Sequence, residues 1–185
     1  QAGDWCNQNR ETSYYNAQHQ VKTKIAEKWN GSRWEYLLRQ QYHYGKDFQL
    51  ACIIGQVWDN QEWNDVTSTT FVYDLNGNVI TQQVHFLQAS TLNQDFAWIL
   101  DYDQNENLIE SSFWIYTGSQ WEVRTRNVNA YDAENRLVNT LSESYEDYWT
   151  NADYVEYEYK NTSVEENPGA ELQVTLYPNP VIDVL

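Results

Sequence analysis

Basic residues and long apolar runs are both scarce in this 185-residue chain. It has 11 Lys and Arg against 27 Asp and Glu, which gives a formal net charge of −16. Such a charge repels the phosphates of nucleic acids and of anionic lipids. The longest apolar runs, residues 50–54 and 96–100, are far shorter than the roughly 18 residues of a membrane-spanning helix. We therefore expect neither nucleic acid binding nor a membrane span.

Proline, glycine, cysteine and methionine are also rare, with counts of 3, 7, 2 and 0. The aromatic residues, by contrast, are abundant, with 9 Trp, 15 Tyr and 5 Phe. A disordered chain would lack such residues. The composition therefore predicts a folded protein in which aromatic side chains provide much of the packing.

The aromatic residues recur with a period of 29 residues. One series keeps this step until its last member, which follows after 28 residues: Tyr15, Tyr44, Tyr73, Tyr102, Tyr131 and Tyr159. Two further series run in phase with it: Trp5, Trp34, Trp63, Leu92, Trp121 and Trp149, and then Val21, Leu50, Val79, Leu108 and Leu137. Three series in phase predict six copies of one unit over about residues 1–160.

Each unit has the pattern of a β-hairpin. Residues 63–73 are rich in β-branched and aromatic residues, DLNGN at 74–78 is typical of a tight turn, and residues 79–87 continue as a second strand. Short polar segments such as DNQE at 59–62 join successive hairpins, which favours antiparallel neighbours. The predicted fold class is all-β: an antiparallel meander of six 29-residue β-hairpin repeats with about twelve strands, as a curved single sheet or one rolled toward a barrel or shell.

Pairing across these turns brings aromatic residues together. With strict alternation, one face of the sheet carries the repeat Tyr residues, each opposite a Val or Leu, and also a ladder of aromatic pairs. The pairs are Trp29 with Trp34, Trp58 with Trp63, Tyr116 with Trp121, and Tyr145 with Trp149. Exposed aromatic rows bind sugar rings or protein partners, so these eight residues are the candidate binding site. The alternative is that the rings only join neighbouring strands.

Three turns carry a recurring motif: YDLNGNV at 73–79, YDQNENL at 102–108 and YDAENRL at 131–137. They resemble the YD repeat of Rhs-type bacterial surface proteins, whose core is Tyr-Asp-x-x-Gly-Arg/Asn-Leu. The whole unit also resembles the longer Trp-and-Tyr hairpin repeats of secreted bacterial proteins that carry a type IX sorting module. In the first two units Asn16 and Gly45 replace the Asp. The resemblance implies a β-hairpin array at a bacterial surface.

The end of the chain departs from the repeats. Residues 161–171 are polar with Pro and Gly, which is typical of a linker. The segment LYPNPVIDVL at 176–185 resembles the opening of the type IX secretion system C-terminal sorting domain, with the motif Tyr177, Pro178, Asn179 and Pro180. The predicted domains are thus a repeat domain (1–160), a linker (161–171) and the truncated start of a sorting domain (172–185). The resemblance implies the type IX machinery as a partner and an extracellular or outer-surface location, after export through the periplasm.

The two cysteines allow two interpretations. A cysteine pair in an exported protein suggests a disulfide. In the expected sheet, however, Cys6 and Cys52 lie on opposite faces, about three strand spacings apart. A simple meander leaves them unpaired, and a bond between them would require the first hairpin to fold back or the sheet to close.

Patterns for catalysis and metal binding are weak. The three histidines lie in no nucleophile or zinc motif: His19, His43 and His85. We expect no catalytic residue and no cofactor, with a glycoside-acting enzyme as the weaker alternative because of the acid pairs Asp101/Asp103 and Glu156/Glu158. A weak calcium alternative rests on two turns with Asp-x-Asn-x-Asn spacing, a spacing that also suits ordinary turn hydrogen bonds. Its residues are Asp74, Asn76, Asn78, Asp103, Asn105 and Asn107.

The charge is unevenly distributed along the chain. Residues 1–46 hold seven Lys and Arg and four Asp and Glu, a net +3, while residues 47–185 hold four and 23, a net −19. Opposite charge at the two ends favours head-to-tail self-association. The function predicted from the sequence is a secreted or cell-surface, non-catalytic binding or adhesion module whose ligand is a glycan or a protein. A structural spacer repeat of a larger surface protein is the alternative.

Overall fold

The computed structural model describes residues 8–87, 94–160 and 171–177, with backbone only at 160 and 171–177. Within these ranges no helix is long and apolar enough to cross a membrane. The fold class is confirmed as an all-β antiparallel meander, because the order of strands in the single sheet is their order in the chain. The strands are β1 Asn9–Tyr15, β2 Val21–Trp29, β3 Trp34–Tyr44, β4 Leu50–Asp59, β5 Glu62–Tyr73, β6 Val79–Phe86, β7 Phe96–Tyr102, β8 Leu108–Tyr116, β9 Trp121–Tyr131, β10 Leu137–Tyr145, β11 Trp149–Lys160 and β12 Glu171–Tyr177.

The chain forms two compact units, residues 1–96 and 97–185. The first contains β1 to β6 and the second contains β8 to β12, while β7 begins at the boundary. Five-residue turns follow the repeat Tyr residues in both units, and the fourth residue of each turn has a positive φ. These residues recur every 29 positions: His19, Phe48, Gly77, Glu106 and Asn135. The left-handed conformation at this point lets the chain reverse within five residues.

Among the described residues, β-bulges at two positions of the repeat interrupt the regular alternation expected from the sequence. One lies on the strand that follows the repeat Trp position, where the extra residues are Leu37, Val66, Arg124 and Ala152. The other lies just after the Tyr turn, where the extra residues are Lys22, Ala51, Ile80 and Val138. Both bulges therefore recur with the repeat.

The first of these bulges separates the two aromatic series. An extra residue shifts the alternation of side chains by one position, so Trp63 and Tyr73, which lie on either side of the bulge at Val66, point to opposite faces of the sheet. The expectation that the aromatic pairs and the repeat Tyr residues share one face is wrong. In each unit, we call the face with the paired Trp residues the Trp face and the opposite one the Tyr face.

The sixth hairpin is completed by the segment that resembles the start of a sorting domain. Strand β12 pairs antiparallel with β11 and places Leu172 opposite Tyr159. Tyr73 and Val79 lie opposite each other in the same way in the third hairpin. Residues 161–170 of the predicted linker, and Pro178, Asn179 and Pro180 of the motif, lie outside the described residues.

Little apolar surface is buried in either unit. Among the described residues, the buried hydrophobic side chains are Val84 in the first unit and Ala97 in the second, and none of the large side chains there is fully buried. A sheet without a thick core must be stabilised by contacts between side chains on neighbouring strands. These contacts form the candidate site and its surroundings.

Candidate functional site

The ladder of aromatic pairs expected from the sequence is confirmed. The members of each pair lie directly opposite each other in the strand register. Their ring centroids are 5.4 Å apart in Trp29–Trp34, 5.1 Å in Trp58–Trp63, 5.5 Å in Tyr116–Trp121 and 5.1 Å in Tyr145–Trp149. The planes are inclined by 51° to 63°, which is the tilted or edge-to-face geometry that aromatic pairs prefer. Each unit carries two pairs on its Trp face.

Arginine side chains cover some of these rings. Arg10 lies 4.6 Å from the ring centroid of Trp34, Arg39 lies 4.6 Å from that of Trp63, and Arg126 lies 4.2 Å from that of Trp149. Each Arg comes five residues after the Trp position of its own repeat and stacks on the Trp of the next. The recurrence shows that cation–π contacts join successive repeats.

Each of these arginines is held by a buried partner on the neighbouring strand. The shortest distances are 2.6 Å in Arg10–Glu27, 2.5 Å in Arg39–Gln56 and 2.6 Å in Arg126–Glu143. The three partners are each 8% exposed. The bidentate hydrogen bonds from Arg10 hold the pKa of Glu27 below its ordinary value. Sequence reasoning missed these pairs, although the spacing of the arginines along the repeats would have revealed them.

The Tyr face has its own repeated contact. The hydroxyl of a repeat Tyr donates a hydrogen bond to the first backbone carbonyl of an even-numbered strand in the preceding repeat. The distances are 2.8 Å for Tyr44 to Val21, 2.9 Å for Tyr73 to Leu50, 3.0 Å for Tyr131 to Leu108 and 3.1 Å for Tyr159 to Leu137. Burial raises the pKa of Tyr44, Tyr73 and Tyr131. These tyrosines are structural, because each fixes one hairpin to the next.

The turns proposed as calcium loops use their acidic side chains internally. Asp103 Oδ1 accepts hydrogen bonds from the backbone N–H groups of Asn105 and Asn107 at 2.8 and 3.0 Å, and its Oδ2 accepts one from the side chain of Asn107. Asp74 makes the same bonds to Asn76 and Asn78. The bonds from Asn107 hold the pKa of Asp103 below its ordinary value. Within the described ranges, no group of three or more His, Cys, Asp or Glu residues could hold a metal ion.

The third repeat replaces the Arg–Glu pair with other polar residues. His85 occupies the position of Glu27 and Gln56, and its Nδ1 lies 2.8 Å from Asp95 Oδ2. Cys52 is a free thiol whose Sγ lies 3.5 Å from Ser68 Oγ, while Cys6 lies outside the described residues.

The two acidic pairs considered for glycoside chemistry lie in different parts of the sheet. Asp101 is on β7, whereas Asp103 belongs to the turn that follows it, and Glu156 and Glu158 are both on β11. Asp103 is thus occupied by its own turn.

One aromatic residue of the Trp face has no counterpart in the other repeats. Tyr36 stands where the other described repeats have Asp65, Gln94, Val123 and Asn151. Its ring centroid lies 5.2 Å from that of Trp58 and 5.5 Å from that of Trp63. Tyr36 is 47% exposed, so it extends the aromatic surface of the first unit toward solvent.

A shallow depression of about 520 Å³ lies beside this ring. It is lined by Arg33, Trp34, Glu35, Tyr36 and Trp58. The guanidinium of Arg33 donates from Nε and Nη2 to Glu35 Oε1, both at 3.2 Å, at the exposed rim. A second hollow of about 350 Å³, lined by residues that include Lys24, Gly55 and Thr67, contains no aromatic ring.

Among known proteins the chain has structural neighbours of low similarity. No protein-family model matches it, and no curated protein matches it. Similar solved structures include a DUF3836 family protein from Bacteroides vulgatus (TM-score 0.37, 10% identity, 63% of this chain and 98% of that one) and a protein with unknown function from Bacteroides fragilis (0.38, 11%, 80% and 90%). A chain of the TcdB2-TccC3-TEV structure also matches (0.46, 10%, 92% of this chain and 11% of that one). With TM-scores below 0.5, none of these structures indicates a function for this chain.

Proposed function

We propose that this protein is a secreted or cell-surface, non-catalytic binding or adhesion module, and that the Trp face of its first unit holds the ligand. The observation behind this proposal is the depression beside Tyr36 and Trp58, where the ring of Tyr36 is 47% exposed next to the partly buried ring of Trp58 and a polar rim. Aromatic side chains in such a position stack on sugar rings or anchor a protein partner. The ligand class is therefore a glycan or a protein.

The repeat pattern separates folding residues from ligand-binding residues. Arg10, Arg39 and Arg126 stack on aromatic rings in several repeats, so these contacts belong to the scaffold. Tyr36, in contrast, occurs in one repeat, and Asn, Asp, Gln or Val occupies its position elsewhere. A ring that the fold does not require is best explained by binding.

Two substitutions taken from other repeats test this proposal. Tyr36→Asn introduces the residue found at Asn151, and Trp58→Leu introduces the residue found at Leu87, so both fit the hairpin. Binding is measured on a glycan array and on a panel of extracellular matrix proteins. We expect both variants to lose the ligand that the unchanged chain binds, while Tyr145→Leu, at the equivalent position of the second unit, keeps it. Unchanged binding by all three variants would contradict the proposal.

Export by the type IX route is part of the same proposal. Its support is the resemblance of residues 176–185 to the opening of a type IX sorting domain and of the turns to the YD repeats of Rhs-type surface proteins. The partner in export would be the type IX machinery.

A structural spacer within a larger surface protein is the second candidate. The contacts that join successive repeats favour it, namely the Tyr hydroxyl to carbonyl bonds and the Arg–Trp stacking. A spacer would bind nothing on either panel, and Trp58→Leu would then affect only its thermal stability.

A further inference from the structure

We propose that the depression beside Tyr36 and Trp58 is a subsite for an uncharged, unbranched polysaccharide whose pyranose rings carry equatorial hydroxyls, as in β-1,4-linked glucose. This inference rests on the proposed function and names the ligand class of that site. Such a sugar ring presents flat C–H surfaces above and below and a girdle of hydroxyls around its edge. The site must therefore offer a free aromatic face beside planar polar groups.

Among the aromatic rings that line the depression, Tyr36 and Trp58 are not covered by an arginine. Trp34 and Trp63 are covered by the guanidinium groups of Arg10 and Arg39. In the part of the chain that the structure describes, no guanidinium lies over Tyr36 or Trp58, and their mutual contact is edge-to-face at 70°. The ring of Tyr36 is 47% exposed and Trp58 beside it is partly exposed, so Tyr36 forms the main stacking surface and Trp58 extends it.

The polar rim has the groups that hydroxyls require. Arg33 and Glu35 stand at the edge of the depression, with side chains 76% and 46% exposed. A guanidinium donates and a carboxylate accepts, so together they satisfy a pair of adjacent sugar hydroxyls. Arg33 is also particular to this repeat, because Glu62, Gln120 and Tyr148 hold its position elsewhere.

Charge favours an uncharged ligand. The lining of the depression holds one positive and one negative side chain, so its net charge is zero. The first unit as a whole, residues 1–96, has seven Lys and Arg against ten Asp and Glu, a net −3, so it does not attract sulfated or uronic acid polysaccharides. An uncharged polysaccharide needs no charged partner in its site, so it suits this depression.

The arrangement of strands suits a ligand longer than one sugar. The pairs Trp29–Trp34 and Trp58–Trp63 lie in successive hairpins of the same unit, two strand spacings or about 10 Å apart. This is close to the length of a disaccharide in an extended β-1,4-linked chain. A polysaccharide that crosses the strands would thus place alternate rings over successive aromatic pairs.

Titration of the 185-residue chain with cellohexaose tests this assignment, with tryptophan fluorescence and calorimetry as readouts. We expect saturable binding that does not change between low and high salt, because the ligand is uncharged. Tyr36→Asn and Trp58→Leu should each weaken binding about tenfold, since each removes one stacking contact. Tyr145→Leu should change the affinity by less than about twofold, because Tyr145 lies outside the depression.

Three results would overturn the saccharide assignment: no binding of cellohexaose, equal weakening by Tyr145→Leu, or tighter binding of a heparin hexasaccharide. Failure of the broader proposal is distinguishable. If the Tyr36 and Trp58 variants lose a protein ligand while cellohexaose does not bind, the binding function stands and the saccharide class is wrong. If both variants bind every ligand as the unchanged chain does, both proposals are wrong.

Discussion

The hydroxyl of Tyr73 connects two hairpins through one hydrogen bond, at 2.9 Å, to the carbonyl of Leu50. In Tyr73→Phe the carbonyl loses this donor, while the aromatic ring is kept. We expect the free energy of unfolding to fall by about 1 kcal/mol, measured by urea denaturation followed by tryptophan fluorescence.

Tyr15 provides the matched control for that substitution. It occupies the same repeat position but is 61% exposed, and its hydroxyl makes no hydrogen bond within the described residues. Tyr15→Phe should change stability by less than about 0.5 kcal/mol. Equal losses in the two variants would show that the Tyr73 hydrogen bond does not stabilise the sheet.

Glu27 should make the protein sensitive to acid. Hydrogen bonds from Arg10 hold its pKa in the folded state below the ordinary value of 4.5. The stabilisation is therefore present above this pH, and it is lost as the pH falls through the lower folded-state pKa, because the unfolded chain takes up the proton first. In Glu27→Gln, the thermal midpoint should fall less between pH 5 and pH 3.

Gln is a suitable replacement because Gln56 occupies the same position in the second repeat and bonds to Arg39. The control is Glu62→Gln, since the side chain of Glu62 makes no hydrogen bond or ion pair among the described residues, although its backbone belongs to β5. The thermal midpoint of Glu62→Gln should change with pH as that of the unchanged chain does. If the thermal midpoint of Glu27→Gln fell between pH 5 and pH 3 as much as that of the unchanged chain, the Arg10–Glu27 pair would have no role in acid stability.

At the level of single elements, a glycine stands next to the bulge at Val66. Gly55 faces Thr67 across β4 and β5, just beyond the bulge, and a Cβ added at Gly55 would overlap Thr67 Oγ1. Gly55→Ala should therefore reduce the free energy of unfolding by about 1–3 kcal/mol, measured by urea denaturation. The double variant Gly55→Ala/Thr67→Ala should recover most of this loss relative to Thr67→Ala alone.

Gly45→Ala serves as the comparison, because a Cβ there would have no neighbour nearer than 3.8 Å and the residue has no positive φ. It should be neutral or slightly stabilising. A loss as large as that of Gly55→Ala would mean that steric overlap is not the cause.

Among the five Tyr turns that the structure describes, the second, at Gly45, lacks the side-chain cap that the other four have. Asn16 Oδ1 accepts hydrogen bonds from the backbone N–H groups of Gln18 and Gln20, and Asp132 caps its own turn in the same way. Gly45→Asn should restore this cap and raise the free energy of unfolding by about 0.5–1 kcal/mol beyond Gly45→Ala. Urea denaturation of the two variants measures the difference, and equal stability would mean that the cap does not form.

Strand positions were predictable to a greater extent than side-chain faces. The 29-residue period located the hairpins and the opposition of Tyr73 to Val79, because turn residues and β-branched residues mark them locally. The bulges were not predictable, since Leu37, Val66, Arg124 and Ala152 share no residue type and a bulge depends on how the backbones pair. The closing strand β12 was missed for a related reason, because Leu172 comes 13 residues after Tyr159 instead of six.

The candidate site was only partly accessible from the sequence. Trp34 was identified because it belongs to a repeated series, and Trp58 because it pairs with Trp63 across a turn. Tyr36 and Arg33 were not, because a search for periodicity discards residues that occur in a single repeat, and Glu35 recurs only as Glu122. Their importance follows from the surface they form with the repeated residues.

On the scale of the whole chain, charge divides unequally between the two units. Residues 1–96 hold seven Lys and Arg and ten Asp and Glu, a net −3, whereas residues 97–185 hold four and 17, a net −13. Self-repulsion should destabilise the second unit more, and salt should relieve it. Hydrogen exchange measured by mass spectrometry should therefore slow more in β8 to β11 than in β2 to β6 when the salt concentration rises from about 0.01 M to 0.5 M.

Glucose at the same osmotic strength controls for effects of co-solutes other than charge screening, and it should not produce this difference. Equal protection of both units by salt would contradict a dominant role for charge repulsion. Greater protection of the first unit would contradict it as well.

The bulge within each Trp strand also bears on how such a protein diversifies. Because the Trp and Tyr ends of one strand point to opposite sides, a duplicated 29-residue segment copies a complete scaffold, with Arg stacking on one side and Tyr hydrogen bonds on the other. Later point mutations at positions such as Tyr36 can then change one side without disturbing the other. Gene duplication supplies new copies of this scaffold, and selection can act on the exposed surface of each copy separately.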